Sequence, residues 1–151
     1  MNERVEIDLL RYTDLQGLKN LYERGFDSSG TDFENMFKTY DIIKDNKNYK
    51  ILCATINGLV VGSVMGVACF ELFGDCKPFM VVENVVVLKK YRKQGIAKRL
   101  MIRLEEHARE LNCSMILFVS SEHRIGAHKL YESLGFGLDK VNGYRKRLQY
   151  D

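Results

Sequence analysis

Apolar residues recur at helical spacing in two stretches near the start of the chain, after a short mixed segment from Val5 to Leu10. Each stretch follows a threonine, Thr13 or Thr31, that stands three residues before Gln or Glu, a spacing typical of a helix N-terminus. The apolar positions then repeat every three or four residues, as on one face of an amphipathic helix: Leu15, Leu18 and Leu21 in the first stretch, and Phe33, Met36, Phe37 and Tyr40 in the second. The pattern predicts a short strand followed by two helices.

A long apolar run from Ile51 to Phe70 contains no charged residue and has the length of a membrane span. The dipeptide Asn57-Gly58 lies inside it, and this pair is the strongest short signal for a β-hairpin turn. We therefore predict a hairpin from Tyr49 to about Phe73 and no membrane span. A second apolar run, Phe79 to Leu88, is rich in β-branched residues and predicts a strand covered on both faces.

The second half of the chain alternates helical and strand patterns. Helical spacing runs from Gly95 to Leu111, a buried strand is predicted over Ser114 to Val119, and a last helix ends at Gly135, a residue type common after helix C-termini. The segment Phe136 to Leu148 holds two candidate strands that turn near Asn142-Gly143.

The elements run in the order strand, two helices, three strands, helix, strand, helix and two short strands. This order predicts a mixed, three-layer α/β fold with a central sheet of about seven strands and about four helices. The helix 95–111 would be the crossover between two parallel strands. A chain of 151 residues suits one core, so we expect a single domain over residues 1–151.

Composition argues against several classes of protein. Lys and Arg number 23 against 20 Asp and Glu, an excess too small to favour nucleic acid or an anionic membrane as a partner. The N-terminus, MNERVEIDLL, lacks the apolar core and cleavage site of a secretion signal, so we expect a cytoplasmic protein. The cysteines show neither metal-ligand spacing nor a CxxC pair, which predicts reduced thiols and no metal site.

The joint after the second apolar run reads YRKQGIAKRL, from Tyr91 to Leu100. A helix that starts directly after a strand leaves its first backbone N–H groups unpaired, and the helix dipole favours an anion there. Arg92 and Lys93 add positive charge, while Gly95 and Ala97 leave the backbone accessible, so the segment suits a pyrophosphate. The alternative is that Gly95 only makes a turn and the cations are solvated. Neither GxxxxGK[ST] nor GxGxxG occurs.

The run RKQGIA, Arg92 to Ala97, resembles the R/Q-x-x-G-x-G/A acyl-CoA signature of the Gcn5-related N-acetyltransferases. Two further stretches agree: VVENVVV, a few residues before Tyr91, is similar to that family's fourth strand, and LYESLGF, Leu130 to Phe136, is similar to the end of its last helix. The order of predicted elements agrees along the whole chain. The resemblance implies a transferase that moves an acetyl group directly from acetyl-CoA to a primary amine of a small molecule or peptide.

The resemblance also assigns residues to the cosubstrate. Backbone amides would cradle the pyrophosphate of coenzyme A along the signature: Arg92, Lys93, Gln94, Gly95, Ile96, Ala97 and Lys98. The strand residues Val85, Val86 and Val87 would pair with the pantetheine arm, and an amide near Val87 would polarise the thioester carbonyl. Ala127 would also contact the cosubstrate. Tyr131 matches the tyrosine that donates a proton to the leaving thiolate, although a packed core tyrosine would show the same spacing.

Two positions depart from the family's pattern. Arg124 stands where many relatives have an asparagine that binds the pantetheine, and we expect Arg124 to contact the cosubstrate at a phosphate instead. Lys89 stands where many have a proline before the signature, which affects the end of the strand more than the chemistry.

Glu83 is the one charged residue of the apolar run that ends at Leu88. Strict strand alternation would place it on the same face as Val85 and Val87, and apolar surroundings would raise its pKa. It could then take the proton of the acceptor amine as a general base. Equally, it could lie at the frayed start of the strand and bind the ammonium of the substrate or a nearby cation.

The acceptor itself is not fixed by the sequence. Acidic residues in the predicted loops, Asp27, Asp32, Glu71 and Asp75, favour a cationic amine. A coenzyme A-binding sensor that has lost turnover is the main alternative, supported by the departure at Arg124. An RNA-binding module is a third hypothesis, but it lacks aromatic residues between the cations of the signature. The sequence leaves the oligomeric state open, and a homodimer is one candidate.

Overall fold

The structure, a computed structural model, describes residues 3–26, 30–120 and 125–149. Within these ranges the chain forms five strands: β1 (Glu6–Leu9), β2 (Tyr49–Ile56), β3 (Leu59–Cys69), β4 (Phe79–Val87) and β5 (Ile116–Leu117). It also forms four α-helices, the number predicted: α1 (Leu15–Gly25), α2 (Phe33–Ile43), α3 (Ile96–Glu110) and α4 (Ile125–Ser133). Short 3-10 turns, Tyr12–Asp14 and Lys89–Tyr91, lie before α1 and after β4.

The strands form one mixed sheet in the order β1-β2-β3-β4-β5. Neighbours run antiparallel except for β4 and β5, which are parallel and joined by α3, so the predicted crossover is confirmed. The predicted hairpin is confirmed too. Asn57 (φ 49°) and Gly58 (φ 78°) both adopt left-handed conformations, as a two-residue turn between β2 and β3 requires.

The expected sheet of about seven strands is not confirmed, because residues 136–149 contain no strand within the described chain. Apolar residues recur in this segment, but a strand also needs a neighbouring edge to take up its backbone hydrogen bonds. The segment pairs with no strand of the described residues, and Leu138 and Tyr144 remain 94% exposed.

In both N-terminal helices an aspartate, one residue after the predicted threonine, occupies the N-cap position, and only the Asp32 side chain accepts a hydrogen bond from its own helix. The carboxylate of Asp14 accepts the Arg11 backbone N–H at 3.0 Å and closes the turn before α1. Asp32 Oδ1 accepts the Asn35 backbone N–H at 2.9 Å at the start of α2. The capping prediction at Thr13 and at position 31 is therefore wrong by one residue, since a carboxylate at this end also interacts favourably with the helix dipole.

One face of the sheet packs against α3. Leu52 and Met80 on this face are 1% and 0% exposed, and Leu100 and Leu104 of the helix are fully buried against them. A Cβ at Gly66 would come within 2.7 Å of Leu104 Cδ1, so glycine is what permits this close approach.

The opposite face packs against the two N-terminal helices. One buried cluster joins α1 to the sheet and is extended by partly buried aromatic residues of α2: Leu15, Leu18, Leu21, Cys53, Val60 and Val86, with Phe33 and Phe37. A Cβ at Gly25 would lie 2.2 Å from a Val86 methyl carbon, which shows how closely α1 lies on β4. Helices therefore cover both faces of the sheet, as the layered fold class predicts.

The chain divides into two compact units, residues 1–118 and residues 119–151. The second unit contains α4, which ends in a Schellman motif. There, Phe136 N–H donates to the Tyr131 carbonyl at 3.0 Å and Gly135 N–H donates to the Glu132 carbonyl at 3.1 Å. Gly135 has φ 91°, so the predicted helix-ending glycine is confirmed. In neither unit does a described helix combine the length and the apolarity that crossing a membrane requires.

Candidate functional site

The joint between β4 and α3 uses backbone conformations that few residues adopt. After the turn Lys89–Tyr91, Lys93 has φ 61° and Gly95 has φ 77°. Gly95 is the N-cap of α3 and brings no side chain to the first amides of the helix. A Cβ at Gly95 would meet no described atom within 4 Å, so the space in front of the helix is open. The glycine is required by its conformation and not by packing.

The first turn of α3 presents three backbone N–H groups to this open space. Helix geometry leaves the amides of Ile96, Ala97 and Lys98 without intrahelical partners, and the first bond of the helix runs from Arg99 N–H to the Gly95 carbonyl at 3.0 Å. Ile96 is only 2% exposed as a whole residue, so its side chain belongs to the core. Unpaired amides at the positive end of a helix dipole form an anion site.

Exposed cations lie next to these amides along the chain. Arg92, Lys93 and Lys98 are all exposed, while the Gln94 side chain folds back and donates from Nε2 to the Lys90 carbonyl at 3.3 Å. The sequence-predicted signature residues are thus brought together around one helix end. The arrangement can bind a group with more than one negative charge.

β4 contains a β-bulge at Asn84. Its register with β3 shifts between Ser63 and Met65, so that Asn84 and Val85 together oppose Val64. Asn84 has φ 56°, a conformation that asparagine tolerates better than most residues. A bulge bends its strand, so the half of β4 after Asn84 has a different direction from the first half.

Beyond the bulge, β4 has an open edge on the side of β5. Pairing with β5 is confined to Met80 and Val81, and no other described strand pairs with that edge further along. On the other side, Leu88 N–H donates to the Val61 carbonyl at 2.8 Å. Because bonded and non-bonded pairs alternate in an antiparallel ladder, the N–H and C=O of Val87 point away from β3, toward the open edge.

The three valines predicted to line the cosubstrate differ in their contacts and in their burial. The Val87 carbonyl accepts a hydrogen bond from Arg92 Nε at 2.9 Å, and this bond fixes the end of β4 to the signature loop. Val85 is half-buried. The Val86 side chain is 4% exposed and packs into the cluster under α1, so its side chain serves the core.

Glu83 lies on the face opposite to the one predicted. A Cβ at Gly62 would touch both Val87 and Ile96, so Val87 faces α3, as Met80 does before the bulge. The extra residue at Asn84 reverses the alternation, so Glu83 faces the side of α1 and α2. Its predicted place on the face of Val87 is therefore wrong. The side chain is also exposed instead of being held in apolar surroundings.

Within the second unit, α4 carries two further predicted residues. Tyr131 is 7% exposed, and its ring meets that of Phe136 edge-on with centroids 6.3 Å apart. Ala127 is half-buried in the same helix. Arg124 lies outside the described residues. Burial of Tyr131 is what a packed core tyrosine requires, and the catalytic role of its hydroxyl stays a prediction.

Sequence reasoning missed a polar cluster behind the bulge. Burial raises the pKa of Tyr22 to about 12, and the side chains of Asn84 and Ser63 partly offset this. Burial likewise raises the pKa of Cys53 to about 12. Cys53 Sγ donates to Ser63 Oγ at 3.9 Å, and Ser63 Oγ donates to the Leu52 carbonyl at 2.8 Å. The signal available in the sequence was the presence of two small polar residues, Ser63 and Asn84, inside apolar runs.

A surface cavity of about 600 Å³ lies near the other end of α3. Charged groups of both signs and one histidine line it: Asp8, Lys50, Arg103, Glu106, His107 and Glu110. The His107 side chain is only 14% exposed. Burial, and then the charge of Lys50, lowers the pKa of His107, and its Nδ1 lies 3.6 Å from Glu110 Oε2.

The cysteines are free thiols in different environments. Cys53 is buried, Cys69 and Cys113 are half-buried, and Cys76 is exposed. In the part of the chain that the structure describes, no three or more His, Cys, Asp or Glu side chains come together in a way that could hold a metal ion.

Comparison with known proteins gives one family. A model of the acetyltransferase (GNAT) family matches residues 15–136. The aminoglycoside N(6')-acetyltransferase type 1 of Serratia marcescens is 22% identical over 123 residues, or 80% of this chain and 84% of that protein. The chloroplastic GCN5-related N-acetyltransferase 4 of Arabidopsis thaliana is 38% identical over 60 residues, or 40% of this chain. The matched part spans only 21% of the length of that Arabidopsis protein.

Solved structures share the fold. Glucosamine-6-phosphate N-acetyltransferase from Arabidopsis thaliana superposes with a TM-score of 0.85 at 17% identity, covering 97% of this chain and 100% of that one. Aminoglycoside N-acetyltransferase AAC(6')-Iy, solved in complex with CoA, gives a TM-score of 0.79 at 20% identity, with 97% of each chain covered.

Proposed function

We propose that the chain, which belongs to the acetyltransferase (GNAT) family, is a single N-acetyltransferase domain. It would move the acetyl group of acetyl-CoA directly to a primary amine. The observation that carries the proposal is the anion site at the start of α3, which adjoins the end of the open edge of β4. Relatives named as acetyltransferases of aminoglycosides and of glucosamine-6-phosphate support a small-molecule amine as the acceptor, and a peptide amine is the other candidate.

The anion site fits a pyrophosphate. Amides of Ile96, Ala97 and Lys98 would donate to its oxygens, and the exposed side chains of Arg92 and Lys93 would supply full positive charge. The open space in front of Gly95 leaves room for the phosphate against the backbone. A solved relative in complex with CoA supports this cosubstrate.

The open edge of β4 fits an extended chain with amide groups. Such a chain can add to a strand edge by backbone hydrogen bonds, as peptides do in β-augmentation. The N–H of Val87 points to this edge and would donate to the thioester carbonyl oxygen, where negative charge develops as the amine attacks. Removal of one such donor from an enzyme typically slows catalysis by about 10² to 10³.

Acetyl-CoA supplies an activated acyl group as a thioester. The acceptor nitrogen forms a bond to the carbonyl carbon, the C–S bond breaks, and its electron pair leaves with the sulfur. Glu83 is exposed, so its carboxylate can hold the ammonium of the acceptor, and the departing proton goes to solvent. The hydroxyl of Tyr131 would return a proton to the thiolate. The family resemblance assigns Ala127 and Arg124 to the cosubstrate as well.

Isothermal titration with acetyl-CoA tests the cosubstrate site. We expect the wild-type protein to bind with a Kd on the order of micromolar, within the usual range for enzyme substrates. Gly95→Glu should abolish binding, because a carboxylate in front of α3 repels a pyrophosphate.

The turn between β2 and β3 offers a matched control. Gly58 has φ 78°, against 77° for Gly95, and a Cβ at either glycine would meet no described atom within 4 Å. Gly58→Glu therefore introduces the same charge and the same backbone strain in a turn that contributes no residue to the signature or to α3, and it should bind normally. Equal loss in both variants, or no binding by folded wild type, would contradict the proposal. Binding without acetyl transfer to any of a broad set of amines would instead indicate a coenzyme A sensor.

A further inference from the structure

The sheet has a partly open apolar area on the side of α1 and α2, near the start of β4. Two cross-strand rows form it: Ile51 opposes Met65, which opposes Glu83, and Tyr49 opposes Val67, which opposes Val81. We call the five uncharged members the acceptor floor: Tyr49, Ile51, Met65, Val67 and Val81. Because side chains directly opposite each other share a face, the floor is continuous across three strands.

The floor is less covered than the other side of the same strands. All five of its members are half-buried. Leu52, Val64 and Met80, which alternate with them and face α3, are 0–1% exposed. Of the floor, Ile51 packs against the cluster under α1. A continuous half-buried apolar area with solvent access is suited to bind an apolar group.

Glu83 stands at the end of this floor where β4 leaves β5. It is exposed, and within the described residues no cation lies within 4.0 Å of its carboxylate. Pairing of β4 with β5 stops at Val81, two residues earlier, so Glu83 adjoins both the floor and the open edge of β4. One unpaired carboxylate beside an apolar floor is complementary to an ammonium group attached to an apolar body.

The loop between β3 and β4 also carries exposed apolar side chains. Phe70, Leu72 and Phe73 are 75%, 94% and 85% exposed. The carboxylate of Glu71 accepts the backbone N–H groups of Leu72 and Phe73 at 2.8 and 3.0 Å, so it is already engaged inside the loop. Of the acidic residues expected to attract the acceptor, this one therefore serves the loop, and Glu83 is the free carboxylate at the floor.

We propose that the acceptor is a primary amine with an apolar ring or alkyl body, which lies on the acceptor floor while its ammonium group meets Glu83. This inference rests on the proposed function and makes it more specific. It separates the chain from relatives that are named for polyhydroxylated amines such as aminoglycosides. Each hydroxyl laid on an apolar floor would lose hydrogen bonds to water without gaining a partner.

Two amines with the same arrangement of six-membered ring, CH2 group and primary amine test the proposal. Cyclohexylmethylamine and 6-amino-6-deoxyglucose both carry a primary amine on a CH2 group outside a six-membered ring, and they differ in the polar groups of that ring. We expect kcat/KM, expressed per neutral amine, to be at least about tenfold higher for cyclohexylmethylamine, a preference within the range set by apolar pockets.

Met65→Gln tests whether the floor itself gives the preference. Glutamine has a similar length, so the variant adds polarity without opening a large cavity. We expect kcat/KM for cyclohexylmethylamine to fall about three- to tenfold and that for the amino sugar to stay within twofold, as expected for a change to one apolar contact. Met115→Gln is the matched control, because Met115 is 54% exposed and lies outside the floor. Val67→Thr replaces Met65→Gln if that variant fails to fold.

The outcomes separate this inference from the proposed function. Acetyl transfer that favours the amino sugar, or a floor variant that lowers both activities equally, would overturn the apolar acceptor and leave the acetyltransferase intact. Acetyl-CoA binding with no transfer to either amine would also overturn it. Failure of the wild-type protein to bind acetyl-CoA in the titration described above would end the proposed function itself.

Discussion

Arg92 Nε donates a hydrogen bond of 2.9 Å to the carbonyl oxygen of Val87. This bond links the signature loop to the end of β4, so the residue that adds charge at the anion site also fixes the strand edge beside it. The carbonyl points toward the open edge of β4, as does the N–H of Val87. Two parts of the proposed cosubstrate site are therefore held in one geometry by a single guanidinium group.

Arg92→Ala should weaken acetyl-CoA binding about tenfold, because it removes both a charge near the pyrophosphate and a charge-assisted hydrogen bond. Arg92→Lys keeps the charge and loses the bond to Val87, so its Kd should lie between those of wild type and Arg92→Ala. Isothermal titration measures all three. Arg109→Ala is the control, since Arg109 forms an exposed pair with Glu105 at 2.7 Å. If the alanine variants at 92 and 109 bound equally well, Arg92 would have no role in the site.

Glu83→Gln should raise the KM for the amine about fivefold or more while kcat changes little, because loss of an exposed carboxylate removes ammonium binding. Steady-state kinetics with cyclohexylmethylamine at saturating acetyl-CoA measure this split. The opposite pattern, a kcat lower by about 10² with unchanged KM, would make Glu83 a general base instead.

Tyr131→Phe should lower kcat by about 10² and leave the Kd for acetyl-CoA unchanged, because only the proton for the leaving thiolate is lost. The ring stays in place, so the edge-on contact with Phe136 is kept. Tyr144→Phe is a matched control at a position that is 94% exposed. Wild-type turnover by Tyr131→Phe would assign the tyrosine to packing alone.

Stability should fall in alkaline solution because of the polar cluster behind the bulge. Burial raises the pKa of Cys53 from 9.0 to about 12 and that of Tyr22 from 10.0 to about 12. Since each folded pKa lies above the unfolded value, the unfolded chain loses these protons first. Their contribution is full below about pH 9 and is lost as pH rises toward about 12, by up to about 1.4 kcal/mol per pH unit for each group.

Urea denaturation between pH 8 and 11 measures this loss. Cys53→Ala should reduce the slope of unfolding free energy against pH, although its cavity lowers stability at every pH. Because the cavity lowers the unfolding free energy at every pH, it does not affect the slope of that free energy against pH, and the slopes of wild type and variant are what is compared. Parallel curves for wild type and variant would show that Cys53 ionises as readily in the folded chain as in the unfolded one.

His107 should limit stability in acid. Burial and the charge of Lys50 lower its folded pKa below 6.5, so the unfolded chain binds the proton first and stability falls as pH drops below about 6.5. His107→Leu removes this group, and its unfolding free energy should change less between pH 7 and 5. A steeper acid loss in the variant would contradict this account.

Local signals predicted the parts of the fold that depend on single residues. Asn57 and Gly58 make the turn because both tolerate positive φ, and Gly135 ends α4 for the same reason. Gly95 was correctly placed at the start of a helix. At these positions the conformational preference of the residue itself decides the structure, so no knowledge of distant contacts was needed.

Two features that depend on pairing between strands were not predicted. Asn84 lies inside an apolar run that looks like a regular strand, and only the register with β3 shows that it is an extra residue. The predicted face of Glu83 failed for this reason. The C-terminal strands failed similarly, because residues 136–149 have no strand partner within the described chain. A strand is defined by its neighbours, and neighbours are not visible in local sequence.

The bulge at Asn84 has a consequence for how this strand can change over evolution. Removal of Asn84 would restore regular alternation, and Glu83, Val86 and Val87 would all keep their present faces. The hydrophobic core would therefore tolerate the deletion, whereas the bend in β4 would be lost. A one-codon deletion or insertion at this point would therefore remove or create the bend in β4 without redesign of the residues that hold the domain together.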